Sequence, residues 1–242
     1  MQAEKYYEMS RIQERHWWFK GRRFLIRSVL ENLNLEKNIS VLEIGCGTGA
    51  NLSVLKQFGT VYAAEMDSFS REYARGKYGV NVEYGRLPDV VPFADKKFDL
   101  ICMFDVLEHV DNDHEALMAL SSRLNKNGRI LLTVPATKWL FGRHDKMFHH
   151  FRRYSRQELN EKMVKAGFTL SILNYFNTLL FPFALLARLA DAVFPGTNTT
   201  GMDIPPTAVN KLLYRIFISE KMMVEKFPLP FGLSLIAVAS KP

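Results

Sequence analysis

A chain of 242 residues with 32 Lys+Arg against 25 Asp+Glu carries a formal charge of +7, and 48% of it is apolar. That length and mix suit one globular domain with a sizeable insertion and exclude disordered or collagen-like chains. Cys46 and Cys102, each inside an apolar run, point to a reducing, cytoplasmic setting without disulfides; the charged N-terminus is unlike a secretory leader, and the run Leu179 to Ala187 is too short to cross a bilayer.

In chain order, the N-terminal segment reads as helix up to Asn38-Ile39-Ser40. Val41–Ile44 is a short apolar strand before glycines, residues 50–58 a helix, Val61–Ala64 a strand, Ser68–Lys77 a helix and Asn81–Tyr84 a third strand. Phe98–Phe104 is a buried strand, and Asp113–Leu124 a helix with Leu117, Leu120 and Leu124 on one face. Asn127-Gly128 is a turn and Arg129–Val134 a further strand. Ser155–Ala166 opens on Ser155 with Glu158 three residues on, a capping-box pattern, and Gly167 ends it before the strand Phe168–Tyr175. Apolar strands alternating with helices predict a mainly parallel sheet covered on both faces. After Tyr175 the alternation stops; residues 177–230 are apolar and proline-broken, and Leu233–Ser240 reads as a strand returning to the sheet. The expected organisation is an N-terminal helical extension or lid (1–39), an α/β core (40–176 and 231–242) and a helical cap (177–230).

The positive charge is localised. Residues 1–27 carry a net +4 and residues 138–165 a net +5, while the rest of the chain sums to −2. Two such segments can steer an anionic partner, or merely keep the surface soluble.

Val41 to Ala50 (VLEIGCGTGA) is a strand, a glycine turn and a helix start. Glycines let a ligand approach the backbone, and the helix start offers unpaired N–H groups. Glu65, at the end of the next strand, is placed to hold ribose hydroxyls. Spacing alone admits any adenosine-containing ligand, a nicotinamide or flavin dinucleotide included.

From Ser40 to Phe168 the chain resembles the class I S-adenosylmethionine-dependent methyltransferases. Glu43-Ile44-Gly45-Cys46-Gly47-Thr48-Gly49 is similar to their first motif, E/D-x-G-x-G-x-G, and Glu43 has no counterpart in the dehydrogenase fingerprint. The stretches Leu87-Pro88 to Ile101 and Asp105-Val106-Leu107-Glu108-His109-Val110 resemble the family's "L-P-F … F-D-L-I" and "D-V-L-E-H-V". The resemblance implies a Rossmann-like seven-stranded sheet with the last strand antiparallel, and S-adenosylmethionine as cofactor. It places Glu43 at the loop and the methionine amino end, Gly45, Cys46 and Gly47 under the cofactor, Glu65 on the ribose and Met66 on the adenine, with Leu87 and Phe104 completing the contacts. Where many members carry Gly-Asp-Ala, this chain has Gly85-Arg86-Leu87, which leaves adenine recognition to backbone and apolar groups. The segment Asp145 to Tyr154 (DKMFHHFRRY) resembles methyltransferases of small molecules, sugars or quinone precursors.

An oxygen nucleophile of high pKa needs a base, and five of the six histidines fall between residues 109 and 150. His109, just beyond a strand end, is the first candidate and His150 the second; either also reads as a structural histidine. Asp105, Glu108 and His109 with His149 or His150 resemble a ligand set of some quinone O-methyltransferases that suits a divalent metal, a lesser alternative; the reading adopted has no metal ligand. Trp18, Arg22 and Arg23 read as aromatic and cationic contacts to an acceptor, with His149 and Arg153, or as a helix docked on the sheet edge. Leu179 to Arg188 reads as a substrate cap or dimer contact rather than an interfacial helix, because it carries so little charge. The function expected is methyl transfer to a small acceptor, at oxygen and of anionic, glycan or lipid-like character, with peripheral membrane contact left open and no DNA. The alternatives are a nicotinamide-dependent oxidoreductase and a non-catalytic S-adenosylmethionine- or RNA-binding module.

Overall fold

In the computed structural model, which describes residues 3–186 and 203–241, seven strands form one sheet. They are β1 (Ile39–Ile44), β2 (Gly59–Glu65), β3 (Asn81–Tyr84), β4 (Phe98–Phe104), β5 (Leu124–Pro135), β6 (Thr169–Phe176) and β7 (Ser234–Ser240). Their order is β3-β2-β1-β4-β5-β7-β6. Strands β1 to β5 run parallel, whereas β7 lies antiparallel to both β5 and β6. The sheet is therefore the mainly parallel, Rossmann-like type that the sequence predicts. Strand order reverses between β1 and β4, and open α/β sheets hold ligands at that crevice, beyond the C-terminal strand ends.

Neighbouring residues of a strand enter different cores. Val41, Leu100 and Val238 join Ile26, Leu30 and Leu52 on one face, while Leu42, Ile101 and Leu132 join Leu117 and Leu159 on the other. This is why the strands read as continuous apolar runs.

The helices are α1 (Ala3–Ile12), α2 (Trp17–Asn32), α3 (Leu52–Leu55), α4 (Ser68–Tyr78), α5 (Asp113–Ser122), α6 (Arg143–Met147), α7 (Arg156–Lys165), α8 (Thr207–Ser219) and α9 (Lys221–Lys226); residues 181–186 are also helical. The N-terminal segment is two helices rather than one. His16 breaks it, adopting an extended backbone while its Nδ1 accepts from Trp18 N at 3.2 Å. The predicted 50–58 helix shrinks to one turn, and the predicted turn at Asn127-Gly128 lies inside β5 as an irregularity of the β4–β5 register. Gly128 makes that possible, since a Cβ there would stand 3.0 Å from Phe98 O and 2.9 Å from Asn125 O. At the start of α7, Ser155 caps Glu158 N at 3.2 Å, but the Glu158 carboxylate pairs with Lys138 at 2.7 Å instead of closing the box.

Helices α2 and α8 pack on each other. The Phe217 ring of α8 meets Trp17 and Trp18, with centroids at 6.0 and 5.4 Å, and lies so close to Gly21 that a Cβ there would stand 2.5 Å from it. Of the Leu179 to Arg188 stretch, Ala187 and Arg188 lie outside the described residues. Among the described residues no helix is long and apolar enough to cross a membrane.

Candidate active site

A cavity of about 1120 Å³ opens at the predicted crevice. Single-ligand pockets run to roughly 300–1000 Å³, so this one has room for a cofactor and an acceptor together.

One end is built by the glycine loop. Gly45 N and Cys46 N donate to Ala64 O at 2.8 and 3.1 Å, tying the loop to β2. Gly45 has φ +66° and faces Val106, whose Cγ2 would stand 2.5 Å from an added Cβ. Gly47 also has positive φ, and a Cβ there would meet nothing within 4 Å. It borders open cavity, as a cradle for a ligand must. Glu65 receives three backbone N–H groups: Gly47 N on Oε2 at 2.8 Å, and Met66 N and Asp67 N on Oε1 at 2.8 and 3.0 Å. Met66, Leu87 and Phe104 line the same end, beside Gly85 and Arg86.

Glu43 does not line the cavity; it is buried under the loop. Asn51 Nδ2 donates to its Oε1 at 2.8 Å, and its Oε2 is buried without a partner. Burial lifts its pKa to about 7, against the Asn51 bond and the Arg22 charge. An acid raised in this way stabilises the fold fully below its unfolded pKa, and that contribution is lost as pH rises through about 7. Glu43→Gln should therefore leave the Tm of the cofactor-free protein nearly unchanged at pH 5. At pH 8 it should raise Tm by about 5 °C or more, from a linkage of about 3 kcal/mol. Equal Tm differences at both pH values in scanning calorimetry would refute the buried-acid reading.

The N-terminal extension closes one wall. Trp18 lines the cavity and stacks on Phe176 of β6, with centroids at 6.3 Å, so it serves packing and site together. Arg22 is buried, pairs with Asp105, and has an unpartnered Nε. Asp105 in turn accepts from Thr133 Oγ1 at 3.0 Å. Arg23 does not reach the cavity; it donates to Gln13 O at 2.8 Å and pairs with Glu14 at 3.3 Å, clamping the α1–α2 corner. Gln13, which no local pattern singles out, is buried and accepts from Thr48 Oγ1 at 2.7 Å.

The same cavity is lined by histidines. His109 and His150 meet edge to face with centroids at 4.7 Å. His150 Nδ1 lies 3.1 Å from Asp145 Oδ1, which also accepts from Arg153 Nε at 2.8 Å, while Arg153 Nη1 donates to Ala136 O at 3.0 Å. Burial works to raise the Asp145 pKa, but His150, Arg153 and the Gly142 N–H outweigh it and hold the carboxylate ionised. Burial, helped by the neighbouring His150, pushes His109 down to about 4, so its imidazole is neutral. Burial and the Asp105 charge push Glu108 well above the usual carboxylate range, and both of its oxygens lack hydrogen-bond partners. Ligand atoms of Glu108, His109 and His150 lie within 4.8 Å of one another, a donor set that fits a divalent cation. His149 lines the cavity at φ +58°, as do Asp105 at +55° and Asn177 at +58°. Non-glycine residues in this region are uncommon, and three on one cavity mark backbone held for a site.

The sequence profile of a family described as a methyltransferase domain matches residues 16–171. The chain belongs to that family. The domain begins before the glycine loop, taking in Trp18 and Arg22, and the membership decides against the nicotinamide reading. The methyltransferase domain is 29% identical over 167 residues to the mitochondrial ubiquinone biosynthesis O-methyltransferase of Saccharomyces cerevisiae, over 58% of this chain and 50% of that one. It spans about half the length of the curated relatives it matches. An S-adenosylmethionine-dependent methyltransferase of Thermotoga maritima superposes with a TM-score of 0.59 at 22% identity, over 98% of this chain and 100% of that one. Another from Clostridium acetobutylicum gives 0.59 at 12%, over 92% and 91%. Both share the class I fold.

Proposed function

We propose that the protein transfers a methyl group from S-adenosylmethionine to an oxygen of a small acceptor. One observation carries this reading: a single cavity joins the Gly47–Glu65 cradle to a histidine held by an ionised carboxylate. S-adenosylmethionine, when bound, supplies a methyl on a sulfonium centre, a good leaving group. The protein's part is then mainly to hold the reacting atoms in line and to move one proton.

Glu65 and the loop amides hold the ribose end, and Met66 and Leu87 cover the adenine. Arg22, at the loop end with a free Nε, suits the cofactor's carboxylate better than an acceptor group. Of the two histidines, His150 is the better base. The Asp145 carboxylate at its Nδ1 fixes the ring and stabilises the cation formed when Nε2 takes a proton, the logic of an Asp–His pair. His109, neutral and buried, resists protonation and serves as a positioning group beside it. His149 lines the cavity and is exposed, and with the basic 138–165 segment it supports an anionic acceptor.

Differential thermal shift tests the reading. S-adenosylmethionine and S-adenosylhomocysteine at about 100 times Kd should raise Tm by roughly 5–11 °C, and NADH and NADPH should not. A shift with the nicotinamides alone would overturn it.

A second reading rests on the two unpartnered Glu108 oxygens. Glu108, His109 and His150 would hold a divalent cation, which would bind the acceptor oxygen and lower its pKa. Loss of methyl transfer on chelation, with recovery on adding Mg²⁺, Mn²⁺ or Zn²⁺, is the expected result under this reading. Activity that is indifferent to chelation removes it.

A further inference from the structure

Large apolar side chains stand in water around the cavity mouth. Trp139, Phe141, Phe151, Phe183, Leu186 and Phe231 are between 37 and 66% exposed. They come from four separate segments, and Phe181 links three of them, its ring centroid 6.1 Å from Trp139 and 5.2 Å from Phe231. Ala184, between Phe183 and Leu186, lines the cavity, and so do Phe151 and Leu233. The crown is therefore continuous with the entrance. Exposed apolar patches of this kind mark an interaction surface.

The charge around the crown identifies the partner. The 179–186 stretch has no charged residue of its own, but the exposed Arg143 and Lys146 of α6 follow directly on Trp139 and Phe141. They belong to the segment of net +5. Aromatic and aliphatic side chains interleaved with exposed cations form the pattern of a protein that sits in a bilayer interface, with Trp at headgroup level and cations on anionic lipid. A second copy of the chain would bring the same positive charge to the contact, which repels; an anionic bilayer attracts it.

We infer that this face docks on a membrane surface bearing anionic headgroups, with the cavity mouth turned to the lipid. If the methyl-transfer reading above holds, the acceptor class follows: a lipid whose polar head enters the cavity while its apolar tail remains among Phe183, Leu186 and Phe231.

Flotation with vesicles tests the docking without any turnover assay. Vesicles of phosphatidylcholine with about 30 mol % phosphatidylglycerol should capture the protein at least about tenfold better than phosphatidylcholine alone, and high salt should weaken the capture. The combined change Phe183→Ser with Leu186→Ser should lower capture about tenfold or more while S-adenosylhomocysteine affinity is kept. Arg143→Gln with Lys146→Gln should abolish the preference for anionic vesicles. Trp139→Phe preserves packing and should remove most of the quenching of Trp emission by brominated lipid. The inference is overturned by absence of vesicle capture, by capture indifferent to all three changes, or by sedimentation showing a dimer that the Phe183 and Leu186 changes dissociate. Vesicle capture without S-adenosylhomocysteine binding would instead sink the methyl-transfer reading and leave the docking standing.

Discussion

Replacing His150 with alanine is expected to lower kcat about 10²- to 10⁴-fold, the usual worth of a positioned base, with S-adenosylhomocysteine affinity within about twofold of native. Its polar partners are Asp145 and Glu108 rather than the Gly47–Glu65 cradle, so its loss removes proton transfer and leaves cofactor binding alone. His109→Ala should cost less, about tenfold, because a buried imidazole with a pKa near 4 is a poor proton acceptor at neutral pH. Asp145→Asn should reproduce most of the His150 loss in kcat, since an amide cannot stabilise the imidazolium. Its fold is checked by Tm, because Asp145 also anchors Arg153 and the Gly142 amide. A His150→Ala enzyme with full activity would end the assignment. Comparable losses for His109→Ala and His150→Ala, both restored by added metal, would transfer the pair to cation binding.

Glu65→Gln is expected to weaken S-adenosylhomocysteine at least tenfold, and Glu65→Ala about a hundredfold, by isothermal calorimetry. Two effects combine. The carboxylate is the acidic group placed for the ribose, and it also receives three backbone N–H groups that shape the loop. Hydrogen bonds to a charged acceptor are worth about 1.5–3 kcal/mol each. An amide keeps one acceptor oxygen but turns a donor toward either Gly47 N or the Met66 and Asp67 amides, so part of the loop is lost with the ribose contact. The alanine variant should also lose stability, whereas the glutamine variant should lose affinity out of proportion to Tm. Unchanged affinity in both would remove Glu65 from the cofactor site.

Much of this was legible in the sequence. Val41–Ile44 and Phe98–Phe104 are apolar on both faces because helices cover both sides of the sheet, and that periodicity is written in the chain. The glycine loop was readable because positive φ at Gly45 and Gly47, with Val106 packed against Gly45, leaves few alternatives to glycine. Glu65 was readable because β1 and β2 pair in register, which sets the end of β2 beside the loop.

Other features depend on contacts between residues distant in sequence. The Arg22–Asp105 pair spans 83 positions and the Gln13–Thr48 bond 35, and no local pattern marks either. Arg22 and Arg23 are adjacent and chemically alike, yet helix geometry sends one into the cavity and the other to the α1–α2 corner. The order proposed for the two histidines likewise rests on which one meets a carboxylate. His109 is the more conspicuous in the chain, but burial keeps it neutral while Asp145 reaches His150. The apolar stretch after Leu179 lacks a basic face of its own, but its Phe181 meets Trp139, which stands four residues before the exposed Arg143. The sequence by itself determined the sheet, the loop and the family, because periodicity and backbone conformation are local. Charge partners and the surface around the entrance were decided by tertiary structure, because each depends on which distant side chains burial and the fold bring together.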